Sequence, residues 1–376
     1  MEQLITIIAL ILAMVPLSSV AMSQNNRMFA RSSKKNHLFI FGLHGNLGSK
    51  IAQECISSSY FDSVGGSVRS FHGDSPFGSG IPLEENNRAE IQSFLRNATH
   101  VLVTIPPIQA NYEQNNTSYR NIILDNQNDD GEDYSKSIRS GSWVGFISTT
   151  GVYGDHGGEW VNESSEARAL VGSKAKAFLD TEEQWRQCAI ESGFDLSIFR
   201  CAGLYSNNAS ALHTVLKHGV SSISGSSKVA GEDAVESYTS RIHIDDVARA
   251  IISSMNKHTR DIENQELFTL GDSSTEVYNL ADDLPAPRSQ VMTYARNTIV
   301  SSHDHYRILK SAHSFGKADS IRRSSERSSR RSRENKRIQN AKMKKDLLPD
   351  GKLVFPTYRE GLEFILTNSP VLGKAI

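Results

Sequence analysis

The sequence predicts an α/β chain: a doubly wound, mostly parallel sheet with a small C-terminal lobe. Three observations carry that prediction. From residue 37 onward, short apolar runs of strand length alternate with stretches of helical spacing. The first of these runs, Leu38 to Phe41, feeds straight into Gly42 and a helix start. Later runs end in Pro106-Pro107, Thr149-Thr150 and Arg200-Cys201, the residue types that close buried strands at a sheet edge.

The first unit is HLFIFGLHGNLGSKI, His37–Ile51. A buried strand passes through Gly42, Gly45 and Gly48 into a helix that opens at Asn46 and Leu47. Such a turn brings bare backbone N–H groups to an anion, here the diphosphate of a dinucleotide. The spacing is G-x-x-G-x-x-G. A glycine-rich turn with no ligand is the competing reading. The helix is expected over Leu47 to Ser58, and a second strand over Val64–Arg69. That strand ends in Arg69-Ser70 with no acidic residue, about 27 residues past Gly42. An acid there would hold a ribose 2′-hydroxyl, whereas a guanidinium suits a 2′-phosphate. The reading therefore prefers NADP over NAD, against the alternative of a solvated surface arginine.

A helix is expected around Glu84–Leu95, and then the strand Val101–Ile105. Ile105 and Pro106 thus fall at the sheet edge where cofactors sit. Tyr112–Ser140 is polar and contains NDDGED, read as a helix with a solvated acidic insert. The strand Trp143–Ser148 leads to Thr149, Thr150 and Tyr153. These hydroxyls could bond a substrate oxygen or the nicotinamide, or simply cap the loop. Phe178, Trp185 and Ala189 share one face of a helix near Lys174–Ser192. A strand Leu196–Phe199 follows. RIHIDDVA opens a helix, with Asp245 or Asp246 as its cap. His243, at its entry, is either an acid or a support of the fold. Short strands are expected at Phe268–Leu270 and ending near Leu280. Helices then follow from about Ser289 and over Tyr358–Leu366.

Composition excludes some classes. The 376 residues allow one large domain with a lobe, or two domains. Lys+Arg (41) and Asp+Glu (42) nearly balance, so no nucleic-acid partner is expected globally. Ile321–Arg333 is basic and Ser-rich without aromatic interleaving, which reads as a solvated insert within residues 319–333. Cys55, Cys188 and Cys201 have no metal-like spacing and form no disulfide framework.

The N-terminus differs from the rest. Leu4 to Leu17 is apolar, broken by Pro16, and too short for a comfortable membrane span. It fits a signal core with Ser19-Val20-Ala21 as the cleavage site, leaving no stable span in the mature chain. The following stretch is basic, contains serines, and has no acid before Gln53. Together they suggest an organelle, a plastid reached through the secretory route, with a plain secretory signal or an uncleaved anchor as alternatives. The domain reading is a targeting segment at 1–36, a nucleotide-binding domain at 37–275 with 205–240 contributing to the lobe, and the lobe at 276–376.

GLHGNLG, STTGVYG, FRCAGLYS and RIHIDDVARAI in this order resemble the extended short-chain dehydrogenase/reductase superfamily, the epimerase/dehydratase group. The resemblance covers nearly all of His37–Leu366. SWVGFISTTGVYGDHGGEWVNE, VYNLADDLPAPRSQV and FPTYREGL resemble an atypical branch with bacterial members of the YeeZ type and plastid versions in plants. This implies a Rossmann sheet, an NAD(P) cofactor, a small-molecule substrate and a Ser/Thr–Tyr–Lys set. Thr149, four residues before Tyr153, matches the Ser/Thr. The Tyr-x-x-x-Lys motif is missing where it is expected: no tyrosine lies between Tyr153 and Tyr205, and Lys174 and Lys176 have no phenol beside them. The literal match at Tyr306 to Lys310 is read as chance. Two functions follow: an atypical reductase, epimerase or dehydratase, or a non-catalytic NAD(P)-binding sensor or scaffold; nucleic-acid binding through Ile321–Arg333 is a third, disfavoured reading.

Overall fold

The computed structural model describes residues 35–69, 80–109, 119–124, 133–218, 237–264, 273–301 and 334–368. The targeting segment through residue 34, Ser70, Phe268–Leu270 and the insert at 319–333 lie outside them.

Seven strands form one parallel sheet: β1 (His37–Phe41), β2 (Ser63–Val68), β3 (Ile81–Pro82), β4 (His100–Val103), β5 (Trp143–Thr149), β6 (Asp195–Cys201) and β7 (Thr275–Leu280). Their spatial order is β7-β6-β5-β4-β1-β2-β3. The order reverses at β1, which pairs with β4 on one side and β2 on the other, with Phe41 opposite Val103 and Ser67. A crevice at such a reversal, beyond the strands' carboxyl ends, is where open α/β sheets bind ligands.

Both faces of this sheet are covered, and the sequence shows why. Leu38 and Ile40 face one core, with Leu102, Trp143 and Phe199. Their neighbours Phe39 and Phe41 face another, with Val101, Val103 and Phe146. Continuous apolar runs are what a doubly covered strand requires. Helix α1 (Asn46–Ser57) buries Leu47, Ile51, Ala52 and Cys55, in a chain order that makes β1–α1–β2 one unit. Helix α2 (Arg88–Asn97) buries Ile91 and Leu95. Helix α3 (Lys174–Ser192) buries Phe178, Trp185 and Ala189, the face read from spacing, and stops at Gly193 in the left-handed region (φ 70°). A third core joins α4 (Ala211–His218), α6 (Arg288–Ser301) and α8 (Tyr358–Asn368) through Leu212, Val291, Met292, Tyr358 and Leu362. Helix α5 (Ile244–Asn264) and α7 (Ala341–Leu347) complete the elements used below.

Three expectations are corrected. The described parts of Tyr112–Ser140 form a two-residue strand at Tyr119–Arg120, paired with Ile108–Gln109, and a 3₁₀ turn at Tyr134–Ser137, with no α-helix among them. The lobe does not begin at 276, because Thr275–Leu280 is the edge strand of the main sheet beside β6. Neither Asp245 nor Asp246 caps α5. His243 accepts the Asp245 N–H at 3.3 Å, and Asp246 accepts the distant amides of Val354 and Phe355 at 2.7 and 3.0 Å. RIH itself is a short strand, Arg241–His243, parallel to Gly203–Tyr205.

Candidate functional site

The carboxyl end of β1 is built from glycines that nothing larger could replace. Gly42 has φ +92°, and a Cβ there would stand 2.4 Å from Thr104 Oγ1 and 3.2 Å from Ile105 Cγ1. Thr104 Oγ1 is held in place by donating to the Phe41 carbonyl at 2.8 Å. A Cβ on Gly48 would stand 2.2 Å from the Gly42 carbonyl oxygen, so only glycine lets α1 seat on the turn. Ser67 O, on β2, holds the turn by accepting from Gly42 N (3.2 Å) and Leu43 N (2.9 Å).

Gly45 is the N-cap of α1. It supplies no side-chain cap, and no acidic residue sits in the first turn. Asn46 is exposed, while Leu47 and Gly48 are buried beneath it. The first amides of α1 and the positive end of its dipole are thus presented to an anion. Ser67 Oγ, fully buried next to this turn, has no hydrogen-bond partner. These features fit a dinucleotide: a cradle that a Cβ would fill, uncapped amides and an orphan hydroxyl on β2. Arg69 follows β2 directly and is exposed. On the other flank Ile105 is half-buried and Pro106 exposed. Of the residues read from sequence, the structure brings Gly42, Gly45, Asn46, Leu47, Gly48 and Ile105 to one turn. Arg69 lies one strand to one side, at the end of β2, and Pro106 follows β4 on the other.

Thr149 ends β5, two strands from β1. Its Oγ1 accepts from Gly151 N at 3.1 Å and so caps the 3₁₀ turn Thr150–Tyr153. Thr149 is half-buried and Thr150 buried. The first turn of α3 meets this turn through Ala175, whose Cβ lies 3.4 Å from the position a Gly151 Cβ would take. Lys174 lies over the Phe178 ring and Lys176 pairs with Asp180.

Tyr153 does not reach this edge as a free phenol. It is fully buried, donates to Asn279 Oδ1 at 2.7 Å, and stacks under the Arg200 guanidinium at 4.9 Å. Burial raises its pKa, against the opposing pull of Arg200. The expectation that Tyr153 contacts substrate is therefore replaced by a core role. His243 also supports the fold. Buried among Tyr205 and Phe355, with ring centroids at 5.1 and 4.2 Å, it is pushed down to about 4 by burial.

Sequence reasoning missed the buried polar frame behind β5. Ser148 Oγ donates to Glu182 Oε1 at 2.6 Å, and Arg200 binds the same carboxylate through Nε (3.0 Å) and Nη2 (2.7 Å). Glu182 is fully buried. Its signal was available: a Glu one turn from Phe178 and Trp185, on the inward face of α3, needs a cation, and Arg200 ends the neighbouring strand. It also missed Thr104 and Ser67, which act through backbone contacts that no motif marks.

Among the described residues no group of His, Cys, Asp or Glu is placed to hold a metal ion, and no helix is long and apolar enough to cross a membrane. No family model matches the sequence, and no curated protein matches it. Solved structures do. MoeE5 in complex with UDP-glucose and NAD has a TM-score of 0.55 at 14% identity, with 90% of this chain and 99% of that chain covered. UDP-N-acetylglucosamine 4-epimerase from Bacillus cereus has a TM-score of 0.53 at 12% identity, covering 88% and 98%. A functionally unknown conserved protein from Silicibacter pomeroyi DSS has a TM-score of 0.53 at 21% identity, covering 89% and 99%. The chain has the epimerase/dehydratase fold. The likeness spans the Rossmann sheet and the second lobe together, since nearly the whole of each solved chain is matched. In this epimerase/dehydratase fold the glycine turn and the end of β5 lie on one edge of the sheet.

Proposed function

We propose that the chain binds NAD(P) at the β1–α1 turn and acts as an atypical short-chain dehydrogenase/reductase of the YeeZ-type branch. It would reduce, epimerise or dehydrate a sugar-like or other small polar substrate. The observation that carries this reading is the turn itself: Gly42 and Gly48 leave no room for a Cβ, and the α1 N-terminus has no cap. The similar solved structures, MoeE5 in complex with UDP-glucose and NAD among them, support the same reading. Arg69, directly after β2, favours NADP over NAD, because the next acidic residue in the sequence is Asp74. When bound, the nicotinamide supplies hydride transfer. The chain's part is to grip the diphosphate with α1 amides, wall the turn with Ile105 and Pro106, and offer the Thr149 and Thr150 hydroxyls at the end of β5.

A second reading has its own support. Tyr153 is committed to Asn279, and Ala175, which meets the Thr149 turn from α3, has no proton to donate in acid–base chemistry. A non-catalytic NAD(P)-binding sensor or scaffold fits that composition. One experiment separates the two. Purified protein is titrated with NADPH and NADH, then incubated with each cofactor and a panel of nucleotide sugars and ketones. The enzyme reading expects tighter NADPH binding and cofactor turnover or sugar isomerisation with a panel member. Tight binding with no conversion of any kind supports the sensor. Absence of binding removes both. The N-terminal segment is proposed to direct the chain to a plastid; a fluorescent protein fused behind residues 1–36 that stays in the secretory pathway would refute this.

A further inference from the structure

Lys336 is the one buried lysine among the described residues. It belongs to a strap, Glu334–Gln339, that lies against the loop following β5. Arg337 and Ile338 pair there as a short parallel strand with Trp160 and Val161. Asn335 O accepts from His156 N at 3.0 Å and Gly158 N at 2.9 Å, and Asp155 accepts the Asn335 amide at 3.1 Å. These backbone bonds fasten the strap without help from the lysine.

The lysine's ammonium is used elsewhere. Lys336 Nζ donates to the Gly154 carbonyl at 2.9 Å and to Glu334 Oε2 at 3.1 Å. Taking an ammonium out of water is costly unless its new partners repay it. An apolar side chain of the same length would fill the space without that cost. Glu334 is itself partly exposed and could pair with a lysine in solvent, so what burial adds is the contact with Gly154.

Gly154 closes the 3₁₀ turn that Thr149 opens. Thr149 Oγ1 accepts from Gly151 N at 3.1 Å, and Gly154 N donates to Gly151 O at 3.0 Å. A Cβ on Gly154 would stand 2.3 Å from the Arg168 carbonyl oxygen, so its backbone is closely confined. One lone pair of Thr149 Oγ1 is thus spent on Gly151, and the direction left for its O–H depends on where the turn sits. The lysines of α3 lie nearer in sequence but are engaged within their own helix, Lys174 over Phe178 and Lys176 with Asp180. The cation that holds this turn comes from 182 residues beyond it.

We propose that Lys336 is a positioning residue for the candidate site. Its grip on the Gly154 carbonyl sets the Thr149–Gly154 turn, and with it the direction in which Thr149 offers its hydroxyl to substrate. The use of that hydroxyl rests on the enzyme reading above; the grip on the turn does not, and the experiment reads the two separately.

The experiment is hydrogen–deuterium exchange, resolved to single amides, on the full-length parent and Lys336→Met, with NADPH titrated into both. The amides of Gly151 and Gly154 should exchange about ten- to hundredfold faster in the variant, the effect of losing one bond from a charged donor. Those of His156 and Gly158, held by Asn335, and of Gly42 and Leu43 should keep the parent's rates, and NADPH affinity should not change. Lys336→Arg, which keeps a charged donor, should restore part of the protection. Unchanged exchange at Gly151 and Gly154 in a folded Lys336→Met overturns the proposal. So does acceleration as large at His156 and Gly158, which would make the lysine only a fastening of the strap. If Lys336→Met does not melt cooperatively, Lys336→Gln is read by the same criteria. A parent that binds no NADPH removes the cofactor reading and leaves the exchange result to decide this one. With any substrate that the parent converts, Lys336→Met should lower kcat and leave KM for NADPH unchanged; an unchanged kcat overturns the link to Thr149.

Discussion

The two ends of the parallel sheet are made of similar residues and are finished differently. At the amino end most polar side chains are paired, the buried Tyr60 hydroxyl just before β2 being an exception. Thr99 Oγ1 bonds His100 Nδ1 at 2.8 Å, and His258 bonds Asp195 at 3.1 Å. Asp195 also takes the Ser274 amide and hydroxyl at 2.8 and 2.7 Å, and Trp143 Nε1 donates to Ser197 Oγ. At the carboxyl end, Ser67 Oγ, Asn279 Nδ2 and Asp282 Oδ2 are buried without partners, and α1 is uncapped. An unsatisfied buried polar group costs about 1–3 kcal/mol. The amino end is therefore arranged for stability, and the carboxyl end keeps bonding capacity for a ligand.

That contrast can be broken most severely from within. Glu182→Ala would leave Arg200 buried without its carboxylate. The expected loss is about 3–5 kcal/mol, read as a large fall in thermal midpoint. A variant as stable as the parent would show that the frame behind β5 is not structural.

The two ends should also respond to pH with opposite sign. Burial pushes His100 at the amino end down to about 3, while the unfolded chain protonates near 6.5. Below pH 6.5 the unfolded state takes up a proton the folded state refuses, so stability falls as pH drops. Asp282 at the carboxyl end is raised to about 8. There the folded state keeps a proton that the unfolded chain releases above about 4, so stability falls as pH rises toward 8. Each slope reaches at most about 1.4 kcal/mol per pH unit. Between about pH 4 and 6.5 the two slopes oppose and largely cancel, so His100→Asn should leave stability rising as pH falls through that window, while Asp282→Asn should leave it falling there and flatten the range from 6.5 to 8 in denaturant melts. A parent with no slope between about pH 6.5 and 8, or a His100→Asn variant with the same profile as the parent, would contradict the assignment.

The smallest effect is expected at Thr149. Thr149→Val removes one hydrogen bond to Gly151 N, worth about 1 kcal/mol. If the hydroxyl serves substrate, turnover falls while cofactor affinity holds. If it only caps the turn, stability falls slightly and turnover is unchanged.

What could be read from sequence divides along the same line. The β1 turn and α3 were legible because their signals are local: an apolar run into glycines, and Phe178, Trp185 and Ala189 on one helical face. The α5 cap was misread because Asp246 is spent on amides 108 and 109 residues away, a partnership no window shows. Tyr153 looked available because its motif sits at a strand end, yet Asn279 on β7, 126 residues later, takes its hydroxyl. The polar stretch before β5 suggested a helix, but Tyr119–Arg120 pairs as a strand with Ile108–Gln109 instead.

The central claim is that glycine backbone at the end of β1 grips a diphosphate. Fluorescence titration with NADPH of the parent and of Gly48→Ala, whose methyl would meet the Gly42 carbonyl oxygen at 2.2 Å, addresses it directly. Saturable binding by the parent and its loss in a variant that still melts cooperatively is the predicted result. Equal affinity in both proteins, or no saturable signal from the parent with NADPH or NADH, would contradict the account.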